Sequence, residues 1–149
     1  MQKRKPIFLL GVGRCGSTAL QVHLCRSSEA WIWGEHDGIL NGLFEWTAQV
    51  RASKSLESFS TLASRKDAVN TIHNIGQGDA THVAWMNQFS SKQLENVERF
   101  AIESMCARRL PPGKSGWGFK EIRYGIGNSV PEDLLRIYPE ARIIHTLRD

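Results

Sequence analysis

Apolar positions along this chain follow two rhythms that take turns. Pro6-Ile7-Phe8-Leu9-Leu10 is a short continuous apolar run ending in glycine, the pattern of a buried strand. Behind it, Leu20 and Leu24 stand one helical turn apart within Ser17 to Cys25, which predicts a helix. Ser27-Ser28 ends that helix, and Ala30-Trp31-Ile32-Trp33 predicts a second strand. Strand, glycine loop, helix and strand form the opening of a βαβ unit. From Asp37 to about Ile75 the spacing is helical but loose, around Leu40, Leu43, Phe44 and Ala48, then Phe59, Leu62 and Ile72. Gly76-Gln77-Gly78 interrupts it.

The clearest helix runs from Ser90 to Arg109. Ser90 and Gln93 form a capping box, and Leu94, Val97, Ala101 and Met105 line one face. Arg108 and Arg109 suit the negative end, and Pro111-Pro112-Gly113 stops the helix. Trp117-Gly118-Phe119-Lys120 predicts a third strand. Ser129 and Glu132 make a second capping box before a short helix through Leu134, Leu135 and Ile137, ended by Pro139. Ala141 to Leu147 is a mostly apolar strand, as in a parallel sheet covered on both faces. The alternation predicts an α/β fold, a P-loop-type parallel sheet flanked by helices. Arg148-Asp149 follows the last strand directly, where a parallel sheet calls for another crossover. Residues 1–149 therefore read as the N-terminal portion of one domain, incomplete at its C-terminus.

Composition narrows this only slightly. A chain of 149 residues suffices for one buried core, and 41% hydrophobic with 23% charged residues is ordinary for a soluble protein. The net charge of +4 permits an anionic ligand without demanding one, and nothing points to nucleic acid. The basic start Met1 to Lys5 precedes an apolar run too short for a secretory signal, and no segment approaches the roughly 20 apolar residues of a membrane span. Cytoplasm is the default location. Cys15, Cys25 and Cys106 are odd in number and lack ligand spacing, so neither disulfides nor a metal is expected.

The chemistry concentrates in Gly11-Val12-Gly13-Arg14-Cys15-Gly16-Ser17-Thr18, between a strand and a helix. First-turn amides there lack intrahelical partners and carry the positive end of the helix dipole, while glycines let the backbone close around an anion. The spacing Gly11-x4-Gly16 followed by Ser17-Thr18 nearly matches the ATP-type P-loop, but Ser17 stands where the phosphate-reaching lysine belongs. Arg14 offers a cation instead, whose planar fork suits phosphate or sulfate oxygens. The plain alternative is a glycine-rich turn that binds nothing.

Pro6 to Leu20 resembles the 5′-phosphosulfate loop of sulfotransferases that use 3′-phosphoadenosine-5′-phosphosulfate (PAPS). The resemblance continues at Gly34-Glu35-His36, at Gly118 to Arg123, and at Tyr138 to Asp149, in the order of the bacterial and tyrosylprotein-type branches. It implies that Arg14, Cys15, Gly16, Ser17 and Thr18 hold the 5′-phosphosulfate, that Arg148 contacts the 3′-phosphate, and that Lys120 neutralises the sulfuryl group in flight. Glu35-His36 falls where tyrosylprotein sulfotransferases carry the catalytic base. The pattern departs from the family at Cys15, usually serine, and at Gly13, often proline.

The implied activity is in-line sulfuryl transfer from PAPS, as co-substrate, to a hydroxyl or amine acceptor with no metal. The acceptor could be a glycan, a protein, a lipid or a small alcohol. Glu35 and His36 compete as base: histidine titrates nearer neutrality, whereas glutamate needs burial to raise its pKa. Each could equally cap the helix after Asp37. Lys120 could simply pair with Glu121, and Glu121 and Arg123 could pair with each other or line the site. Two other readings stay open, a P-loop kinase or NTPase with a variant loop and an inactive truncated relic.

Overall fold

The computed structural model describes residues 5–54, 90–125 and 127–147. Strands β1 (Ile7–Gly11), β2 (Ala30–Trp33), β3 (Gly116–Glu121) and β4 (Arg142–Thr146) form one sheet in the order β2-β3-β1-β4, parallel throughout. The helices between them are α1 (Ser17–Ser27), α2 (Leu40–Ala52), α3 (Ser91–Cys106) and α4 (Val130–Ile137). The expected α/β fold is present, with each anticipated strand found within a residue or two. Gly76 to Gly78, the apolar positions Phe59, Leu62 and Ile72, and Arg148 lie outside the described residues. None of the described helices is long and apolar enough to cross a membrane.

The chain divides into two units, residues 1–44 with 95–149, and residues 45–94. In the smaller unit, the Ser90 capping box closes reciprocally. The Ser90 amide donates to Gln93 Oε1 at 2.8 Å and the Gln93 amide to Ser90 Oγ at 3.2 Å.

The larger unit carries the sheet. β1 is an inner strand, which is why its apolar run is unbroken: Phe8, Leu9 and Leu10 are all buried. Phe8 and Leu10 face a cluster with Trp117, Phe119, Ile102, Leu134 and Ile137, while Leu9 and Ile32 face Leu20 and Leu24 of α1. Leu134 is wholly enclosed in the first cluster. Leu134→Ala should cost about 2–5 kcal/mol, read as a lower midpoint in urea unfolding at unchanged slope.

At the β2 edge, α1 supplies partners for the strand's outward groups. Gln21 Nε2 donates to the Ile32 carbonyl at 2.9 Å, and the Ile32 amide donates to Cys25 Sγ at 3.3 Å. Side chains one helical turn apart thus cover the edge.

Four expectations need correction. Among the described residues β4 has a neighbouring strand on one side alone, and its own residues are only half-buried or exposed. On α3 the inward positions include Glu98, Ile102 and Cys106, whereas Val97 and Met105 are exposed. The buried face is displaced by one residue, because Arg136 of α4 meets Glu98 at 3.0 Å and lets a carboxylate occupy a core position. On α4, Leu135 is likewise exposed, whereas Leu134 and Ile137 point inward. The second capping box does not form either. Ser129 has helical backbone angles and makes no side-chain cap, and Asn128 Oδ1 instead accepts from the Val130 amide at 2.9 Å.

Of the tryptophans, Trp117 is buried, Trp31 and Trp33 are half-buried, Trp46 is exposed, and Trp85 lies outside the described residues.

Candidate active site

The Gly11–Thr18 loop leaves the carboxyl end of β1 and turns directly into α1. Arg14 (φ 61°) and Gly16 (φ 78°) both adopt the left-handed conformation, which is free for glycine and uncommon for a residue bearing a side chain. Gly16 is the N-cap and so offers no side-chain cap to the first-turn amides of α1, and no acidic residue stands in that turn. Arg14 and Thr18 are exposed, Ser17 is buried, and Arg14 pairs with no carboxylate among the described residues. An uncapped helix start beside an uncommitted guanidinium suits an anion.

The loop is clamped to the sheet from below. Cys15 Sγ donates to the Val12 carbonyl at 2.7 Å and lies 2.9 Å from Thr146 Oγ1 of β4. That Thr146 hydroxyl holds the Cys15 thiol below its ordinary range, with Ser17 adding to the effect and burial opposing it. At Gly11 a Cβ would overlap the carbonyl and hydroxyl oxygens of Thr146, so only glycine lets β1 and β4 close here.

Two further candidates meet beside this loop. Lys120, from β3, is 7% exposed; its Nζ lies 3.1 Å from Thr18 Oγ1 and 2.7 Å from Glu35 Oε1. Glu35 follows β2, and its other oxygen lies 3.4 Å from Arg123 NH1. Phosphate-type loop, buried cation and carboxylate therefore converge at the carboxyl ends of β1, β2 and β3, where open α/β sheets bind ligands. Lys120 does not pair with Glu121. Successive strand residues face opposite ways, and Glu121 lies across the sheet with Phe119.

His36 turns the other way from this cluster. Its ring packs edge-on against Phe119 with centroids 4.7 Å apart, its Nε2 lies 3.0 Å from Tyr124 Oη, and its Nδ1 lies 3.7 Å from Glu121. Burial pushes the imidazole pKa down; the Glu121 carboxylate opposes that and Arg123 adds to it. Tyr124 is fully buried, and its hydroxyl also accepts from the Leu40 amide at 2.9 Å, so this histidine belongs to a bracket holding the start of α2.

Arg148 lies outside the described residues. No group of three or more metal-ligating side chains occurs among the described residues. A cavity of about 550 Å³ opens at the amino-terminal ends of β1 and β3, lined in part by Pro6, Trp117 and Tyr138; none of the candidate residues lines it. Its cations are engaged, Lys5 with Glu140 and Arg99 over the Tyr138 ring.

Of the two alternatives open for Glu121 and Arg123, pairing with each other or lining the site, the pairing is present, at 2.9 Å. Sequence reasoning missed the anchoring parts of Glu121, Tyr124 and Thr146. The available signal was a carboxylate directly following a buried strand, which has to find donors.

A model of the sulfotransferase family matches residues 6–149. No curated protein matches the sequence. The match takes in the loop at its start, the Lys120 strand and the closing strand at its end, and it covers nearly the whole chain: the protein belongs to the sulfotransferase family.

Proposed function

We propose that this site transfers a sulfuryl group from PAPS to an acceptor hydroxyl or amine, with Glu35 as base. The observation that carries the reading is the position of Lys120 Nζ, in contact with Thr18 on one side and Glu35 on the other. PAPS supplies the activated sulfuryl group: a bond from the acceptor oxygen or nitrogen to sulfur forms as the bond from sulfur to the bridging phosphate oxygen breaks. The α1 amides and Arg14 bind the 5′-phosphosulfate, with Gly16, Ser17 and Thr18 shaping the cradle and Cys15 bracing it from beneath. Lys120 offsets charge on the transferring group. Glu35 takes the acceptor proton, because it, rather than His36, shares the loop's side of the sheet. Arg148 is assigned to the 3′-phosphate on resemblance alone. Which acceptor is used depends on surfaces beyond these residues.

The test is equilibrium binding of 3′-phosphoadenosine-5′-phosphate, by calorimetry, to the wild type and to Arg14→Ala. We expect saturable binding without magnesium and an affinity loss of about 10²-fold in the variant. Unchanged affinity in Arg14→Ala, or preference for magnesium–ATP, would reject the assignment.

A further inference from the structure

The β2–β3 ladder ends at the pair Trp33 and Phe119, yet Glu35 and Lys120 meet beyond it at 2.7 Å. Twisted neighbouring strands diverge once their hydrogen bonds stop, so something else must hold these two segments together. Arg123 contributes from the exposed side, its NH2 2.8 Å from Asp37 Oδ1 and its NH1 3.4 Å from Glu35 Oε2, and from the buried side Glu121 accepts main-chain amides of both segments. Glu121 is fully buried, and its two oxygens divide the work. Oε2 accepts from the amides of His36 and Gly38, each at 3.0 Å, in the segment after β2. Oε1 accepts from the amides of Ile122 at 3.0 Å and Arg123 at 3.2 Å, and from the Arg123 guanidinium at 2.9 Å, in the segment after β3.

Asp37 (φ 60°) and Gly38 (φ 68°) are both left-handed, so the chain after Glu35 curls into a concave set of main-chain donors. Such a hollow binds anions, and here the protein fills it with its own side chain. Burial by itself raises the Glu121 pKa, but the amides of Gly38 and His36 together with Arg123 outweigh it and leave the carboxyl below its ordinary value. The anchor is therefore charged at neutral pH. Glu35 is the residue before one anchored amide, and Lys120 is the residue before the anchor itself.

We infer that Glu121 is a positioning residue that locks the segments after β2 and β3 to each other and thereby fixes Glu35 against Lys120. In its catalytic consequence the inference rests on the functional reading above; in its geometry it does not.

Zero-length carbodiimide coupling, mapped by mass spectrometry, reads the geometry directly. Wild type should give a Glu35–Lys120 amide and, as an internal control for folding, a Lys5–Glu140 amide. Glu121→Gln replaces one accepting oxygen by a donor and can satisfy only one segment. We expect it to lose the first cross-link and keep the second. Its affinity for 3′-phosphoadenosine-5′-phosphate should match wild type, while kcat falls about 10²-fold at unchanged donor KM. A Glu35–Lys120 cross-link at wild-type yield would overturn the inference. Should Glu121→Gln not fold, Glu121→Asp keeps the charge and retracts the oxygens by one methylene. A reduced Glu35–Lys120 yield there supports the lock, and an undiminished yield overturns it. If the wild type binds no 3′-phosphorylated nucleotide, the functional reading fails, and the cross-link comparison still decides the lock.

Discussion

Glu35→Gln lowers kcat for sulfuryl transfer about 10²–10⁴-fold, the range supplied by a general base. The substitution keeps the shape of the side chain and an oxygen for Lys120 Nζ, 2.7 Å away, but removes the ability to accept a proton. The donor KM should change little, since the loop and Arg14 are untouched, so the loss falls on kcat. His36→Gln gives the opposite split. That ring fills space against Phe119 and contacts the Tyr124 hydroxyl, so its loss costs stability, about 1–2 kcal/mol, with kcat within a few-fold of wild type. The measurement is single-turnover release of 3′-phosphoadenosine-5′-phosphate from PAPS across a panel of hydroxyl and amine acceptors, alongside urea unfolding. A large kcat loss in His36→Gln with full activity in Glu35→Gln would reverse the assignment.

Gly118→Ala destabilises the fold by about 3 kcal/mol, at the upper end of the usual range for overpacking. The added methyl would fall onto the carbonyl of Ile7, and Ile32 Cδ1 stands 3.1 Å away on the other side. A backbone oxygen cannot swing aside as a side chain can, so β1 and β3 must separate at the pair Ile7 and Gly118. The cost is a large share of the roughly 5–15 kcal/mol that holds an ordinary domain together. Differential scanning calorimetry checks it as a lower Tm. A variant melting with the wild type would mean that these strands are not so closely paired.

The loop was legible because its requirements are local. A strand, a glycine at the helix start and a cation two residues earlier lie within one short stretch, and the left-handed angle of Gly16 accounts for the glycine. The strands were legible for the same reason, since periodicity is a property of neighbours. Periodicity misled where charge intervened. On α3 the pattern favoured Val97 and Met105, yet Glu98 occupies the core because Arg136, from a different helix, makes that burial tolerable. At α4 a serine and a glutamate at capping spacing lost the role to Asn128, whose carbonyl reaches the Val130 amide.

For the site, the residue types were readable and their partnerships were not. Lys120 stood out as a cation ending an apolar strand, but its contact with Thr18 spans 102 positions along the chain, and no local pattern encodes that distance. Glu35 and His36 are adjacent and were indistinguishable as bases on paper. Only the folded chain turns one toward the loop and the other toward Phe119.

The sequence by itself determined the order of elements, the α/β class and the glycine turn from β1 into α1 at Gly11–Thr18, because each follows from steric preference and side-chain rhythm over a few residues. Tertiary structure alone decided which face of the sheet each charged group occupies, that Glu35 rather than His36 meets Lys120, and that Glu121 ties the two segments together. The physical reason is that a buried charge is tolerable only beside its partners, and those partners arrive from distant parts of the chain.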